Sequence, residues 1–136
     1  MRQRVLFKEK YVLVGRIGHP ALTVRPTLAQ FSQLEHVVVS PNGGGFSGIT
    51  DHTLEQVGLS RRVVLSVPHF LFVKSVIGKT DLVAMLPERL VRNSPEVQIA
   101  EPPVEIPGYE LAMLWDERSH RDPAHQWLRE LIAQSV

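Results

Sequence analysis

The sequence contains no cysteine, which excludes a disulfide framework and any thiolate metal site and is compatible with a reducing compartment. No stretch approaches the roughly 18 consecutive apolar residues that a membrane-spanning helix needs. The N-terminal run MRQRVLFKEKYVLVG is broken by Arg, Lys and Glu and does not read as the apolar region of a signal peptide. A dominant charge is also missing: 15 Lys and Arg against 14 Asp and Glu leave a formal net charge of +1, with no block of like charges that would make a nucleic-acid-binding stripe. What remains is ordinary globular composition, 43% hydrophobic and 21% charged over 136 residues. That is enough for one compact domain with a real core and short for two. The expectation is a soluble, cytoplasmic protein with no membrane partner.

The pattern along the chain is strand alternating with helix. Tyr11 to Gly15 is a short apolar run, read as the first strand, and Gly18-His19-Pro20 breaks it. Thr27 followed by Gln30 resembles a capping box, with Leu28, Phe31 and Leu34 at helical spacing behind it. His36 to Ser40 is β-branched and uninterrupted, the pattern of a strand covered on both faces, and Pro41-Asn42-Gly43-Gly44-Gly45 ends it. Ile49, Leu54 and Val57 can share a helical face, with Gly58 suited to the left-handed position after it. Arg61 to Val67 repeats the strand pattern and Pro68 stops it. Phe70, Val73 and Ile77 then form a helical face ending at Gly78. Asp81 to Met85 is another buried-type strand and Pro87 to Val91 a short helical turn. Residues 93–108 are rich in Pro and Glu and are expected to be mostly irregular, and Tyr109 to Trp115 returns as a strand. Asp122-Pro123 is an N-cap and first-turn pair for an amphipathic helix striped by Ala124, Trp127, Leu128, Leu131 and Ile132. No repeat or low-complexity segment competes with the α/β reading: a mostly parallel sheet flanked by helices, with ligands expected at the carboxyl ends of its strands.

Gly43-Gly44-Gly45-Phe46-Ser47-Gly48 satisfies GxGxxG directly after a strand. The dinucleotide reading needs an acidic residue at the end of the next strand, where Val67-Pro68-His69 stands instead, and the loop lacks the Lys-Ser/Thr pair of a P-loop. Two readings stay open: backbone NH groups and the Ser40 and Ser47 hydroxyls arranged for a small anion, or a plain glycine-rich turn. The six histidines, His19, His36, His52, His69, His120 and His125, show neither HExxH spacing nor a cysteine partner, so no metal is implied. His69 follows a strand end and opens a helix, a position that faces a ligand cleft, although a histidine hydrogen-bonded to backbone at a helix start fits equally well. His120-Arg121-Asp122 lacks the other elements of a kinase, no serine sits in a GxSxG elbow, and Asp116-Glu117 reads as a solvated pair. Nothing assembles into a catalytic constellation, so no enzyme activity and no cofactor are expected.

Gly18-His19-Pro20, HVVVSP with its Gly-rich loop, GLSRRVVLSVPHFL, TDLVAMLPERL, PPVEIPGYELAMLW and DPAHQWLRELI resemble, in order and spacing, the effector-binding domain of LysR-type transcriptional regulators. The resemblance is to the branch with the nodulation and aromatic-degradation regulators. It implies a subdomain of the type 2 periplasmic-binding-protein fold plus a C-terminal helix. On that reading residues 1–115 hold the second α/β subdomain with its crossover strands, and residues 116–136 the return segment and amphipathic helix. It further implies a small-molecule effector, aromatic or carboxylated, bound between two subdomains, and DNA binding only through a helix-turn-helix domain that this chain does not contain. The effector side of this subdomain would be Ser40, Pro41, Gly43, Gly44, Gly45, Phe46 and Ser47, with Pro68, His69 and Phe70 at the next strand end. In the family the C-terminal helix packs on the first subdomain, so Trp127, Leu128 and Leu131 are expected either to mediate homo-oligomer contact or to leave the helix disordered. A stand-alone solute-binding module of the periplasmic type is the alternative, disfavoured by the missing signal peptide.

Overall fold

The structure, a computed structural model, describes residues 1–40 and 48–136. The expectations for Pro41, Gly43, Gly44, Gly45, Phe46 and Ser47 lie outside the described residues. In chain order the elements are β1 (Arg2–Glu9), β2 (Tyr11–Arg16), α1 (Leu28–Gln33), β3 (Glu35–Val39), α2 (Ile49–Gln56), β4 (Arg62–Val67), α3 (Phe70–Ile77), β5 (Val83–Pro87), α4 (Glu88–Val91), β6 (Val97–Ala100), β7 (Tyr109–Trp115) and α5 (Pro123–Gln134), with a 3₁₀ turn at Glu117–Ser119 before α5. They form two compact units, one made of Lys10–Pro107 and the other of Met1–Glu9 with Gly108–Val136.

The larger unit is an α/β layer structure on a five-stranded sheet of order β4-β3-β5-β2-β6. The expected parallel pairing holds for β3 with β4 and with β5, whereas β2 runs antiparallel to both β5 and β6, making the sheet mixed. Because side chains alternate across a strand, β2 sends Val12 and Val14 to one core with Val37, Ala84 and Leu86. It sends Leu13 to a second core with Val83, Met85 and Phe31. Val73 and Ile77 of α3 close the first core and Leu54 of α2 the second. This two-sided burial is why the strands read as unbroken apolar runs.

The Thr27 capping box forms as expected, with the Gln30 NH donating to Thr27 Oγ1 at 3.1 Å and the Thr27 NH to Gln30 Oε1 at 2.9 Å. Gly18 and Gly58 adopt positive φ of 76° and 75°, the conformation that penalises a Cβ. His19 is buried and structural: its Nε2 donates to Asp81 O at 2.6 Å while Nδ1 accepts from the Ala21 NH.

Several expectations are corrected. Tyr11–Arg16 is the second strand, because Arg2–Glu9 already forms β1, an exposed strand whose charges hide it. Within the stretch expected to be mostly irregular, Val97–Ala100 pairs with β2. On α2, Leu54 is buried, but Ile49 and Val57 are 42% and 55% exposed and do not share its buried face.

The smaller unit is an antiparallel ribbon of β1 and β7 with a bulge between Val5 and Phe7, plus α5. Asp122 caps α5 through the Ala124 NH and Pro123 occupies its first turn, as its sequence indicated. Arg129 is its buried residue: the guanidinium lies 4.4 Å over the Trp115 ring and donates to Ser119 O and His120 O at 3.1 and 2.7 Å. The apolar stripe is exposed instead, with Trp127 at 68%, Leu128 at 46% and Leu131 at 45%.

Candidate functional site

The carboxyl ends of the parallel strands β3 and β4 lie side by side, in register through Val39 and Val67, and the Ser40 NH extends the ladder by donating to Val67 O at 2.8 Å. Ser40 is thereby held half-buried at the sheet edge next to Pro68 and His69, which are exposed. His69 is the N-cap of α3, its carbonyl accepting from the Val73 NH at 3.3 Å, and its ring makes no capping hydrogen bond. Phe70 is half-buried: it packs on the core of Val37, Val67 and Val73 and also lines a cavity at the strand edge. Ser40, Pro68, His69 and Phe70 are thus brought to one edge of the sheet, whereas Trp127, Leu128 and Leu131 belong to the other unit.

The cavity, about 60 Å³, is walled by Val38 and Val39 of β3, Thr50 of α2, Met85 of β5, Tyr11 of β2 and Phe70. Arg61 also lines it. Its side chain is only 2% exposed, and Nε and Nη2 each donate to the Asp51 carboxylate at 2.9 Å in a bidentate fork. The same carboxylate accepts the Gly48 NH at 2.8 Å, which closes the first turn of α2. Burial works to raise the Asp51 carboxyl, but the Arg61 hydrogen bonds and charge, with the Gly48 NH, outweigh it and hold the group below the usual carboxylate range. Arg61 Nη1 has no hydrogen-bond partner among the described residues.

Beneath this pair His36 is fully buried, its Nε2 donating to Phe31 O at 2.9 Å. Burial, reinforced by the Arg61 charge and only partly offset by that hydrogen bond, pushes the imidazole down to about 4. It is a neutral core residue at physiological pH. Among the described residues no group of three or more His, Asp or Glu side chains could hold a metal ion.

Sequence reasoning missed Arg61, Asp51 and Thr50 as site residues. Arg61 reads as the first residue of a strand, and a partner ten positions upstream, across a helix and a turn, leaves no periodic trace. The one available signal was Asp51 at the third position of α2, where a carboxylate reaches back to an orphan NH.

The match to the family model described as LysR substrate binding domain runs over residues 1–136. This chain belongs to that family. Among curated relatives it is 38% identical to the HTH-type transcriptional activator NagR of a Ralstonia species over 97% of this chain and 44% of that protein. It is 35% identical to the activator NahR of Pseudomonas putida over 96% of this chain and 44% of that protein. It is also 38% identical to the regulator SyrM 1 of Sinorhizobium fredii over 98% of this chain and 40% of that one. The chain spans less than half the length of these curated relatives. Among solved structures, the regulatory domain of MexT, a transcriptional activator in Pseudomonas aeruginosa, superposes with a TM-score of 0.75 at 28% identity, covering 99% of this chain and 66% of that one. The fold is that of LysR regulatory domains, similar to periplasmic binding proteins, and the relatives are transcriptional regulators. Among the described residues no helix is long and apolar enough to cross a membrane.

Proposed function

We propose that this chain is the effector-sensing part of a LysR-type transcriptional regulator. On this reading a small metabolite, aromatic or carboxylated, binds in a cleft whose wall on this side is Ser40, Pro41, Gly43, Gly44, Gly45, Phe46, Ser47, Pro68, His69 and Phe70. Residues 1–115 act as the second subdomain with its crossover strands and residues 116–136 as the return segment and helix. Ligand then shifts the balance between subdomain arrangements, and DNA is contacted through a helix-turn-helix domain outside this chain. The work is switching, without catalysis, in the cytoplasm. The observation that carries the reading is the convergence of Ser40, His69 and Phe70 at the carboxyl edge of β3 and β4, beside a cavity at the first turn of α2, where an open α/β sheet takes its ligands.

The test is thermal unfolding of the chain against a panel of small organic acids and neutral aromatics. A true ligand at a hundred times its Kd stabilises by about 2.7 kcal/mol. Ser40→Ala and Phe70→Ala should reduce that stabilisation at fixed ligand concentration. Stabilisation unchanged by both substitutions would remove the strand edge as the site.

The exposed stripe of Trp127, Leu128 and Leu131 is assigned to self-association, since a contiguous apolar face of this kind favours burial against a second surface. Light scattering on the eluting protein should show an oligomer that Trp127→Glu dissociates; a monomer at high concentration would end this assignment.

A further inference from the structure

Away from the strand edge, the smaller unit places two half-buried histidines at one joint, between the end of β7 and the first turns of α5. Trp115, the last residue of β7, donates its indole Nε1–H to His120 Nδ1 at 3.3 Å, with the two rings only 11° from parallel. Arg129 of α5 is buried, and its Nη1 donates to His125 Nδ1. The same guanidinium lies over the Trp115 ring and binds Ser119 O and His120 O. Gln126 Nε2 adds a second donor to His120 O at 3.1 Å.

An indole N–H and a guanidinium can only donate, so both Nδ1 atoms are acceptors. That fixes each imidazole as the neutral tautomer with its proton on Nε2. A second proton enters only at Nδ1, where it sets a donor against a donor. We propose that His120 and His125 form a proton-operated latch: neutral, they fasten α5 to β7, and charged, they release it. The surrounding charges favour release over accommodation. His125 stands at the third position of α5, where the helix dipole opposes a cation, and its added charge meets the Arg129 guanidinium. Asp122 of the same turn opposes this, but its carboxylate is engaged by the Ala124 NH. Glu117, the carboxylate whose charge is felt at His120, is held on both oxygens by Arg2 of β1 at 2.7 and 3.1 Å. Asp116 pairs with Arg118 and Glu130 with Arg4, Arg121 is exposed, and the Met1 amino group also acts on Asp116 and Glu117. Each of these carboxylates already has a partner, so charged imidazoles are best accommodated by opening the joint to water.

The experiment is nitrogen NMR on the isotope-labelled full chain from about pH 7.5 to 5.5, the range in which histidines ordinarily change charge. At the upper end the ring signals should show Nδ1 unprotonated in both His120 and His125; the opposite tautomer in either would overturn the latch, and this reading needs no variant. On acidification the Trp115 indole signal should move, and the amides of residues 127–129 should exchange about tenfold faster than in His120→Asn with His125→Asn at the same pH. Asparagine Oδ1 accepts as Nδ1 does but does not titrate, so the double variant stays latched. Each single Asn variant should keep part of the response, and Arg129→Met should exchange fast at both ends of the range. A Trp115 indole signal that does not move, or exchange that follows the same pH profile in wild type and in the Asn variants, would overturn the proposal.

Discussion

Deleting the Asp51 carboxylate should unlock the larger unit. The Arg61 side chain is 2% exposed and that of Asp51 16%, so Asp51→Ala leaves a guanidinium enclosed with none of its donors satisfied among the described residues. It also removes the acceptor of the Gly48 NH at the start of α2. Breaking a buried pair by removing one partner costs about 3–5 kcal/mol, and the slight exposure of Asp51 places this case near 3, a large part of the about 5–15 kcal/mol that holds a domain folded. The assay has to look in the right place. Trp115 and Trp127 both lie in the unit formed by Met1–Glu9 and Gly108–Val136, so a probe inside the larger unit is needed. Amide exchange at Val37 and Val38, in the β3 ladder, supplies one, and a loss of about 3 kcal/mol should speed it roughly a hundredfold. The difference from wild type depends on pH. The folded-state pKa of Asp51 lies below its ordinary value, so its contribution is complete above an unfolded pKa of about 3.9 and fades as pH falls through the folded value. Replacing both partners by apolar residues, Asp51→Leu with Arg61→Met, should restore stability to within about 1 kcal/mol of wild type, because nothing charged is left buried. Wild-type exchange rates in Asp51→Ala would refute the reasoning.

His36 gives a second pH window: its pKa falls from 6.5 to about 4 on folding, so the unfolded chain takes up the proton first. Stability is full above pH 6.5 and declines by about 3 kcal/mol as pH falls to 4; denaturant melts of His36→Gln should lack this slope, and retention of the slope would place the proton elsewhere. Thr27→Ala removes the acceptor of the Gln30 NH and should cost about 1 kcal/mol, read as faster exchange of the α1 amides with little change at β7. In the smaller unit, Arg129→Met keeps the stem but loses the bonds to Ser119 O and His120 O and the contact with Trp115. A loss of about 2–4 kcal/mol should appear as a lower midpoint in tryptophan-detected unfolding, and an unmoved midpoint would show that Arg129 holds nothing.

The parts of the fold that were legible share one physical property, strong local chemistry. β3 is legible because both of its faces are covered, so Val37 and Val38 leave no polar interruption. α1 and α5 are legible because Thr27 and Asp122 satisfy orphan NH groups that any helix start must satisfy. β1 and β6 were not. In β1 the charges of Arg2, Arg4, Lys8 and Glu9 sit on a strand whose sheet partner among the described residues is β7, so its strand state comes from a partner a hundred or more residues away. β6 is four residues long between proline-rich segments, and its Val97 and Ala100 are buried only because β2 is there to receive them. The apolar stripe of α5 makes a different point: periodicity finds residues that share a face, and Arg129, off that stripe, is the one buried.

The same contrast holds between the strand edge and the Arg61–Asp51 fork. That Ser40 and Pro68 to Phe70 share one sheet edge could be anticipated, because strand ends are set by topology and topology was readable from the alternation of strand and helix. The place of Arg61 could not, since it stands before β4, at the amino end of that strand, and lines the cavity only through its long side chain. Its partner Asp51 is on an element that runs the other way, and their bidentate fork exists only once α2 lies across β3. A fork of this kind depends on the completed fold in a way that a glycine-rich turn does not. A compound that binds in the cavity beside this fork should protect the α2 and β3 amides from exchange beyond its own footprint, because a ligand that requires the folded fork stabilises everything the fork holds together.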